Sequence, residues 1–273
     1  MKLAVNYSVE AQRLVDRGEI DFDLYKCPDW PDLVTAARAQ RPCYVHWPLR
    51  AGTREAAEVD WESLFGLRAL TGTPFVNIHL SPRATDFEGM SVDTEDAEHR
   101  TTVLNAMVRD VETVADRVGS ENVILENAPW DPTPPWHIPR PALLPEVICE
   151  VVARTGCGFL LDLAHAAIAA LRLGVEPKDY LRALPLDRIQ EMHVTGLAPH
   201  WKGWTDHRPL REEDWTLLHW ALDRTRLGDW AEPRVVAFEY GGVGPAYAQH
   251  SAETVLTDQV PWLLECVHAA AAN

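Results

Sequence analysis

The segment that most clearly indicates the fold class is Cys157–Gly196, CGFLLDLAHAAIAALRLGVEPKDYLRALPLDRIQEMHVTG. It begins with a short apolar run at Gly158–Asp162 and ends with a second one at Ile189–Thr195, and a helix-like segment lies between them. Two β-type runs separated by a helix are typical of a βαβ unit, in which both strands lie parallel in one buried sheet. The stretch therefore predicts a parallel α/β architecture.

Six further runs of the same kind extend this pattern over the whole chain. They lie at Leu3–Tyr7, Asp21–Tyr25, Cys43–His46, Phe75–Leu80, Val123–Glu126 and Val235–Tyr240. The segments between them carry apolar residues at helical spacing, for example Val103, Met107, Val111, Val114 and Val118. Eight strand–helix repeats in 273 residues predict a (β/α)8 TIM barrel, because an open doubly wound sheet would usually show a glycine-rich loop after its first strand.

We predict a single domain over residues 1–273, because no linker or low-complexity segment divides the chain. The Pro-rich run Pro129–Trp136 follows the fifth predicted strand, and we expect it to be a long loop over the barrel mouth. Ala51–Val59 and Pro82–Glu98 are expected to be mouth loops as well.

Charge and composition exclude several classes of partner. Lys and Arg number 25 against 41 Asp and Glu, and the net charge of −16 repels phosphate backbones and anionic lipids, so we expect no nucleic acid and no membrane partner. The amino terminus lacks the basic and apolar segments of a signal peptide, and no apolar run reaches the roughly 20 residues of a membrane span. Five scattered cysteines without a CxxC pair fit a reducing compartment, and we expect a cytoplasmic protein.

Polar side chains fall at the carboxyl ends of six consecutive predicted strands, where TIM barrels place their catalytic residues. A carboxylate at the end of an apolar strand is costly to bury unless it is paired or bound to a metal. We expect Glu126, Asp162 and Glu239 to be the catalytic carboxylates. The six strand-end residues are His46, His79, Glu126, Asp162, His193 and Glu239.

Two short motifs extend this ring of predicted metal ligands. His165 follows Asp162 by three residues at the predicted start of a helix, and the adjacent pair Asp206 and His207 lies in the loop after the seventh strand. Imidazole and carboxylate ligands without thiolates suit Zn, Mn or Fe, and the donor set alone does not choose among them. We therefore predict two or three metal ions, which Glu126 can bridge.

The order of these residues resembles the xylose-isomerase-like TIM-barrel superfamily, which includes sugar isomerases, epimerases and the endonuclease IV type of DNA-repair enzyme. Within it, the motifs Asn6-Tyr7-Ser8, Leu125-Glu126-Asn127 and Cys157–Gly196 look most like the multinuclear non-heme iron-dependent oxidative enzymes, the family of the methanobactin-type peptide oxidases. The resemblance implies two or three irons, dioxygen, a cysteine-containing peptide substrate and, frequently, a partner protein that presents the peptide. It also implies that Glu126 bridges a di-iron pair completed by His46, His79, Asp162, His193 and Glu239.

The chain departs from that family pattern in two places, and three functions stay open. The usual Asp-x-His of the loop after strand seven appears as Asp206-His207, and His165 stands where the peptide oxidases often have Asn. We favour iron- and dioxygen-dependent oxidation of a cysteine-containing peptide or thiol. The alternatives are a redox-neutral sugar isomerase, epimerase or endonuclease-IV-like hydrolase that uses Mn or Zn, and a non-catalytic binding module. As the partner of the site we expect a peptide or small-molecule substrate.

Overall fold

The centre of the computed structural model, which describes residues 1–131, 137–200, 203–245 and 247–271, is a barrel of parallel strands. Eight strands form the barrel and two form a separate hairpin. In chain order the strands are β1 Lys2–Asn6, β2 Leu24–Pro28, β3 Cys43–His46, β4 Val76–His79, β5 Val123–Glu126, β6 Gly158–Asp162, β7 Ile189–Val194, β8 Gly196–His200, β9 Gly203–Arg208 and β10 Val235–Phe238.

The strands of the barrel follow the order β3-β2-β1-β10-β7-β6-β5-β4, and every hydrogen-bonded pair among them is parallel. Because β1 pairs with β10, the first and last strands of the described chain lie side by side in the sheet. The ring is nearly closed between β3 and β4 by a parallel bridge between Arg50 and His79. The predicted TIM barrel is therefore confirmed.

Nine helices pack around the described part of the barrel, and their buried faces follow the predicted apolar rows. In α4 the residues Val103, Met107, Val111, Val114 and Val118 are all buried, as expected for a helix that lies along the barrel wall. The helices are α1 Val9–Asp16, α2 Pro31–Gln40, α3 Trp61–Thr71, α4 Ala97–Val118, α5 Pro145–Thr155, α6 Leu163–Leu173, α7 Pro177–Arg182, α8 Glu212–Arg226 and α9 Glu253–Ala270.

The predicted position of the second strand, Asp21–Tyr25, is wrong by three residues at each end. Asp21 and Asp23 precede the strand instead, and the Asp23 carboxylate accepts a hydrogen bond from the Leu3 backbone N–H at 2.7 Å. The observed strand continues through Lys26 to Pro28, beyond the apolar run. Its end was missed because a charged residue there is buried inside the barrel, against its usual preference for water.

The β8–β9 hairpin was not predicted, because its sequence shows no apolar alternation. It is antiparallel and follows β7 directly, so that β9 carries Thr205, Asp206 and His207 over the barrel mouth. Gly196 begins it because a Cβ atom at this position would lie 1.8 Å from the Pro209 carbonyl oxygen. The predicted eighth strand also ends earlier, at Phe238, although the Glu239 N–H still donates to the Val194 carbonyl at 2.9 Å.

A buried carboxylate on α4 holds the mouth loop after β3. Asp110 accepts hydrogen bonds from the backbone N–H groups of Gly52 and Arg54, both at 2.8 Å. Arg54 adopts a left-handed backbone conformation, with φ of 66°, which these bonds stabilise.

In the predicted loop Pro129–Trp136, positions 132–136 lie outside the described residues. Among the helices of the described chain, none is long and apolar enough to cross a membrane.

Candidate metal centre

The parallel register of the strands brings the six strand-end residues to one rim of the barrel. His79 lies opposite Glu126 in the β4–β5 pair, and Asp162 lies opposite His193 in the β6–β7 pair. Because parallel strands all point their carboxyl ends the same way, residues far apart in the chain meet there. Five of these six side chains, together with His165, form three overlapping groups of potential ligands, and His79 lies beside the first group.

The first group surrounds one oxygen of Glu126. Its Oε2 atom lies 3.2 Å from Nε2 of His79 and 3.5 Å from Nε2 of His46, and the two imidazole nitrogens are 3.2 Å apart. The group itself consists of His46, Glu126 and His193, whose ligand atoms lie within 4.8 Å of one another, and His79 lies against it. Nitrogen and oxygen atoms at these spacings surround a volume that one cation can fill.

The second group uses the other oxygen of Glu126. Its Oε1 atom lies 3.3 Å from Nδ1 of His165, whose Nε2 atom is 3.7 Å from Oδ2 of Asp162. Asp162 is the N-cap of α6, and its Oδ1 atom accepts the His165 backbone N–H at 2.7 Å. The capping bond fixes the carboxylate so that Oδ2 faces the neighbouring ligands. Glu126 thus belongs to two groups, as a bridging ligand would.

The third group joins β6, β7 and β10. Nδ1 of His193 lies 3.2 Å from Oε1 of Glu239 and 3.9 Å from Oδ2 of Asp162. Glu239 also pairs with the ammonium group of Lys26. All of these side chains are buried, so the charges stay in contact with one another and not with bulk water.

Three atoms at the centre of these groups lie within 4 Å of ionisable neighbours but make no hydrogen bond among the described residues. Glu126 Oε2, Asp162 Oδ2 and His193 Nδ1 are buried and have no hydrogen-bond partner among the described residues. A buried acceptor without a partner costs about 1 to 3 kcal/mol, and more when it is charged. Bound cations would coordinate all three atoms, whether each group holds its own ion or neighbouring groups share one.

Backbone carbonyls select which nitrogen of each imidazole faces the centre. Nδ1 lies 2.9 Å from the Leu49 carbonyl oxygen in His79 and 2.9 Å from the Asn127 carbonyl oxygen in His165. An imidazole that donates one N–H to the backbone presents its other nitrogen as a ligand, and in His79 this nitrogen is Nε2. In His165, Nδ1 also lies 3.3 Å from Glu126 Oε1, whereas Nε2 faces Asp162 and Asp206. His193 is reversed, because Glu191 lies 2.7 Å from its Nε2 atom and leaves Nδ1 for the site.

The pKa shifts follow from this crowding of charges. Burial opposes ionisation of Glu126, but the adjacent imidazoles outweigh it and lower its pKa to about 2. Burial raises the pKa of Asp162 to about 7. For His193, burial favours the neutral ring, but Glu239 and Glu191 outweigh it and raise the pKa to about 10. Without a cation, imidazolium protons balance the carboxylates, and a binding metal would displace them.

Asp206 and His207 lie beside the three groups and belong to none of them. Oδ2 of Asp206 is 3.2 Å from Nε2 of His165, so the shifted carboxylate still faces the imidazole. His207 has a left-handed φ of 56°, and its Nδ1 atom lies 3.0 Å from the Gly241 carbonyl oxygen. Its ring stacks on Tyr247 with centroids 4.1 Å apart, at the wall of the cavity.

A cavity of about 690 Å³ opens from the ligand groups to the barrel mouth. Its floor contains His46, His79, Glu126, His165 and Glu239. Its rim carries the half-exposed aromatic side chains of Trp30, Trp204 and Tyr247. The volume lies in the range of sites that enclose a drug-sized molecule or several amino-acid residues.

Residues 67–232 of the chain match the family of the RiPP precursor modification enzyme MbnB/TglH/ChrH. The chain belongs to this family. It is 31% identical over 230 residues to a UPF0276 protein of Caulobacter vibrioides, which covers 80% of this chain and 76% of that protein. A 53-residue segment is 43% identical to a UPF0276 protein of Bordetella pertussis, and this match spans 18% of the Bordetella protein.

Solved structures with the same fold come from the xylose-isomerase-like TIM barrels. A D-psicose 3-epimerase in the presence of D-fructose is similar with a TM-score of 0.58 and 12% identity, over 100% of both chains. A xylose isomerase domain protein from Alicyclobacillus acidocaldarius is similar with a TM-score of 0.56 and 15% identity, over 100% of this chain and 99% of that one. At such identity the likeness shows the fold. MbnB/TglH/ChrH membership and the fold together indicate an enzyme with a metal site.

Sequence reasoning missed several residues of this MbnB/TglH/ChrH site. Lys26 and Glu191 are buried charges inside the barrel, and Glu191 joins His193 to the Tyr44 hydroxyl, which donates to it at 2.6 Å. Glu191 and His193 are two residues apart on one strand, so the period of 2 places them on the same inner face. That spacing was the available signal for Glu191.

Proposed function

We propose that this chain uses two or three iron ions and dioxygen to oxidise a cysteine-containing peptide or thiol. One observation carries the proposal: in a member of the MbnB/TglH/ChrH family, three buried ligand atoms of Glu126, Asp162 and His193, which make no hydrogen bond among the described residues, lie close together beneath an open cavity. The donor set of imidazoles and carboxylates accepts iron, manganese or zinc, and the resemblance of the sequence motifs to the iron-dependent peptide oxidases favours iron.

The metals would be held by the three ligand groups. Glu126 would bridge, because each of its oxygens faces a different set of imidazoles. His46, His79, Asp162, His193 and Glu239 would complete a pair of ions, and His165 with Asp206 would support a third. When bound, iron supplies a ligand position for the substrate sulfur and the redox chemistry that activates dioxygen.

The side chains of the protein orient and protect this centre. The carboxylates of Glu126 and Asp162 are at most 1% exposed, so water reaches the floor of the site mainly through the cavity. The Asp162 cap and the carbonyl contacts of His79 and His165 fix the ligand directions before any substrate enters. The cavity has room for residues on either side of a cysteine, which suits a peptide. A partner protein that presents the peptide is part of this proposal.

One observation favours a second function. His165 faces Glu126, Asp162 and Asp206, where the peptide oxidases often have Asn. This additional imidazole ligand would suit a redox-neutral hydrolase or isomerase that uses Mn or Zn to polarise a substrate oxygen.

Metal identity and oxygen consumption separate the two functions. Protein purified without oxygen is analysed for metals and by Mössbauer spectroscopy, and then mixed with oxygen and a panel of single-cysteine peptides and simple thiols. We expect two or three irons per chain and oxygen uptake that stops when serine replaces cysteine in the same peptide. Glu126→Gln serves as the inactive control. Zinc or manganese alone, with no oxygen uptake on any thiol, would refute the proposal and favour the second function.

A further inference from the structure

The barrel rim contains a buried cation that the metal groups do not use. Lys26 lies on β2, is 7% exposed and lines the same cavity as Glu126 and Glu239. A buried ammonium group is costly unless it is paired and hydrogen-bonded. Its position in the site therefore needs a physical explanation beyond packing.

The described contacts satisfy only part of this ammonium group. Its Nζ atom donates to Oε1 of Glu239, and Glu239 is its one acceptor within the described residues. A lysine ammonium carries three N–H donors, so two of them are available to a group bound in the cavity that Lys26 lines. The Glu239 contact fixes Nζ close to the ligand groups, and its charge contributes to the low pKa of His46 after the larger effect of burial.

An electron-rich group in the cavity would satisfy these donors. Five carboxylates, those of Glu126, Asp162, Glu191, Asp206 and Glu239, meet one ammonium group there, and two divalent ions would balance their charges, so an acceptor for Lys26 can be neutral or anionic. No imidazole of the described residues accepts a hydrogen bond from Lys26. An acyl oxygen of a bound substrate would accept from Nζ without displacing Glu239.

We propose that Lys26 is a substrate-binding residue that donates to an acyl oxygen close to the reacting sulfur. The inference rests on the proposed thiol substrate and specifies how it is oriented. In a cysteine residue the sulfur and the acyl carbon are separated by two carbons, so sulfur at the metals brings that oxygen near the floor. The oxygen can belong to a peptide carbonyl or to a terminal carboxylate, which share this chemistry.

The test uses three thiols and cobalt-loaded protein without oxygen. Cobalt(II) reports thiolate binding through a sulfur-to-cobalt absorption band, so no turnover is needed. The probes 3-mercaptopropionate, 3-mercaptopropionamide and 1-propanethiol present a carboxylate, an amide carbonyl and no acyl group, with the sulfur-to-acyl spacing of cysteine in the first two. Wild type is compared with Lys26→Met, with Lys26→Arg as the charge-retaining variant. Lys26→Gln retains a donor to Glu239 and replaces Lys26→Met if the latter does not fold.

The expected result is selective. Lys26→Met lowers the affinity for one or both acyl probes by about 10-fold or more. Its affinity for 1-propanethiol and its cobalt content stay those of wild type. Lys26→Arg recovers part of the affinity. The probe whose affinity falls identifies the carboxylate or the carbonyl as the source of the oxygen.

Other results would overturn the inference at different points. If the acyl probes bind wild type and Lys26→Met alike, or if the variant loses cobalt or weakens all three probes equally, Lys26 only places Glu239. If no probe gives the sulfur band with wild type, the proposed thiol substrate is wrong and the role of Lys26 falls with it.

Discussion

Asp162 both caps α6 and faces the ligand groups, and a pair of substitutions can separate these two roles. Its Oδ1 atom caps α6 through the His165 N–H at 2.7 Å, whereas its Oδ2 atom is buried, has no hydrogen-bond partner among the described residues and faces the ligand groups. Asp162→Asn keeps an oxygen for the cap and loses the charge. Asp162→Ala loses both.

The two variants should therefore differ in a thermal unfolding experiment. Losing an N-cap costs about 1 kcal/mol, which for a chain of this size lowers Tm by roughly 2 to 4 °C. Metal-free Asp162→Asn should match or exceed wild type, because it removes a buried charge, and metal-free Asp162→Ala should unfold at the lower Tm. The backbone contacts of Asp162 with Asn127 are unchanged in both variants.

The change in Tm on adding metal tests the second role, that of Oδ2 as a ligand. An ion present at a hundredfold excess over its Kd stabilises the folded chain by about 2.7 kcal/mol, which corresponds to roughly 5 to 10 °C. Wild type in Fe²⁺ without oxygen should show this increase, and both variants should lose most of it. A full metal-induced increase in Asp162→Asn would refute the assignment of Oδ2 as a ligand. Equal metal-free Tm values for the two variants would refute the capping argument.

Three further substitutions test other parts of the site and its support. Glu126→Gln should lower bound iron by at least one ion per chain in elemental analysis, because its two oxygens face different groups; unchanged stoichiometry would contradict bridging. His165→Asn should remove at most one ion and leave the Mössbauer signal of the others, whereas loss of all metal would show that the groups are not separable. Asp110→Ala leaves the N–H groups of Gly52 and Arg54 without their acceptor and should lower the free energy of unfolding by about 2 to 3 kcal/mol in urea; a change below 0.5 kcal/mol, roughly that of a neutral surface substitution, would contradict the anchoring role.

The sequence by itself was sufficient for the barrel and for the neighbourhood of the site. The apolar runs predict β3, β5 and β6 at their observed bounds, because strands buried on both faces are marked by composition alone. Once parallel strands are predicted, the meeting of residues such as His46 and Glu239 follows from topology, although they are far apart in the chain. Their role as ligands stays a prediction.

Which atoms face one another depends on the complete tertiary structure and could not be predicted from local sequence. The burial of Lys26 and Glu191 inside the barrel depends on partners from distant strands, Glu239 and Tyr44, which no local pattern reveals. The hairpin that carries Asp206 to His165 likewise depends on long-range contacts. Local sequence determines which backbone form a segment prefers, whereas side-chain directions and loop paths are set by what the completed fold leaves room for and what charge it must balance.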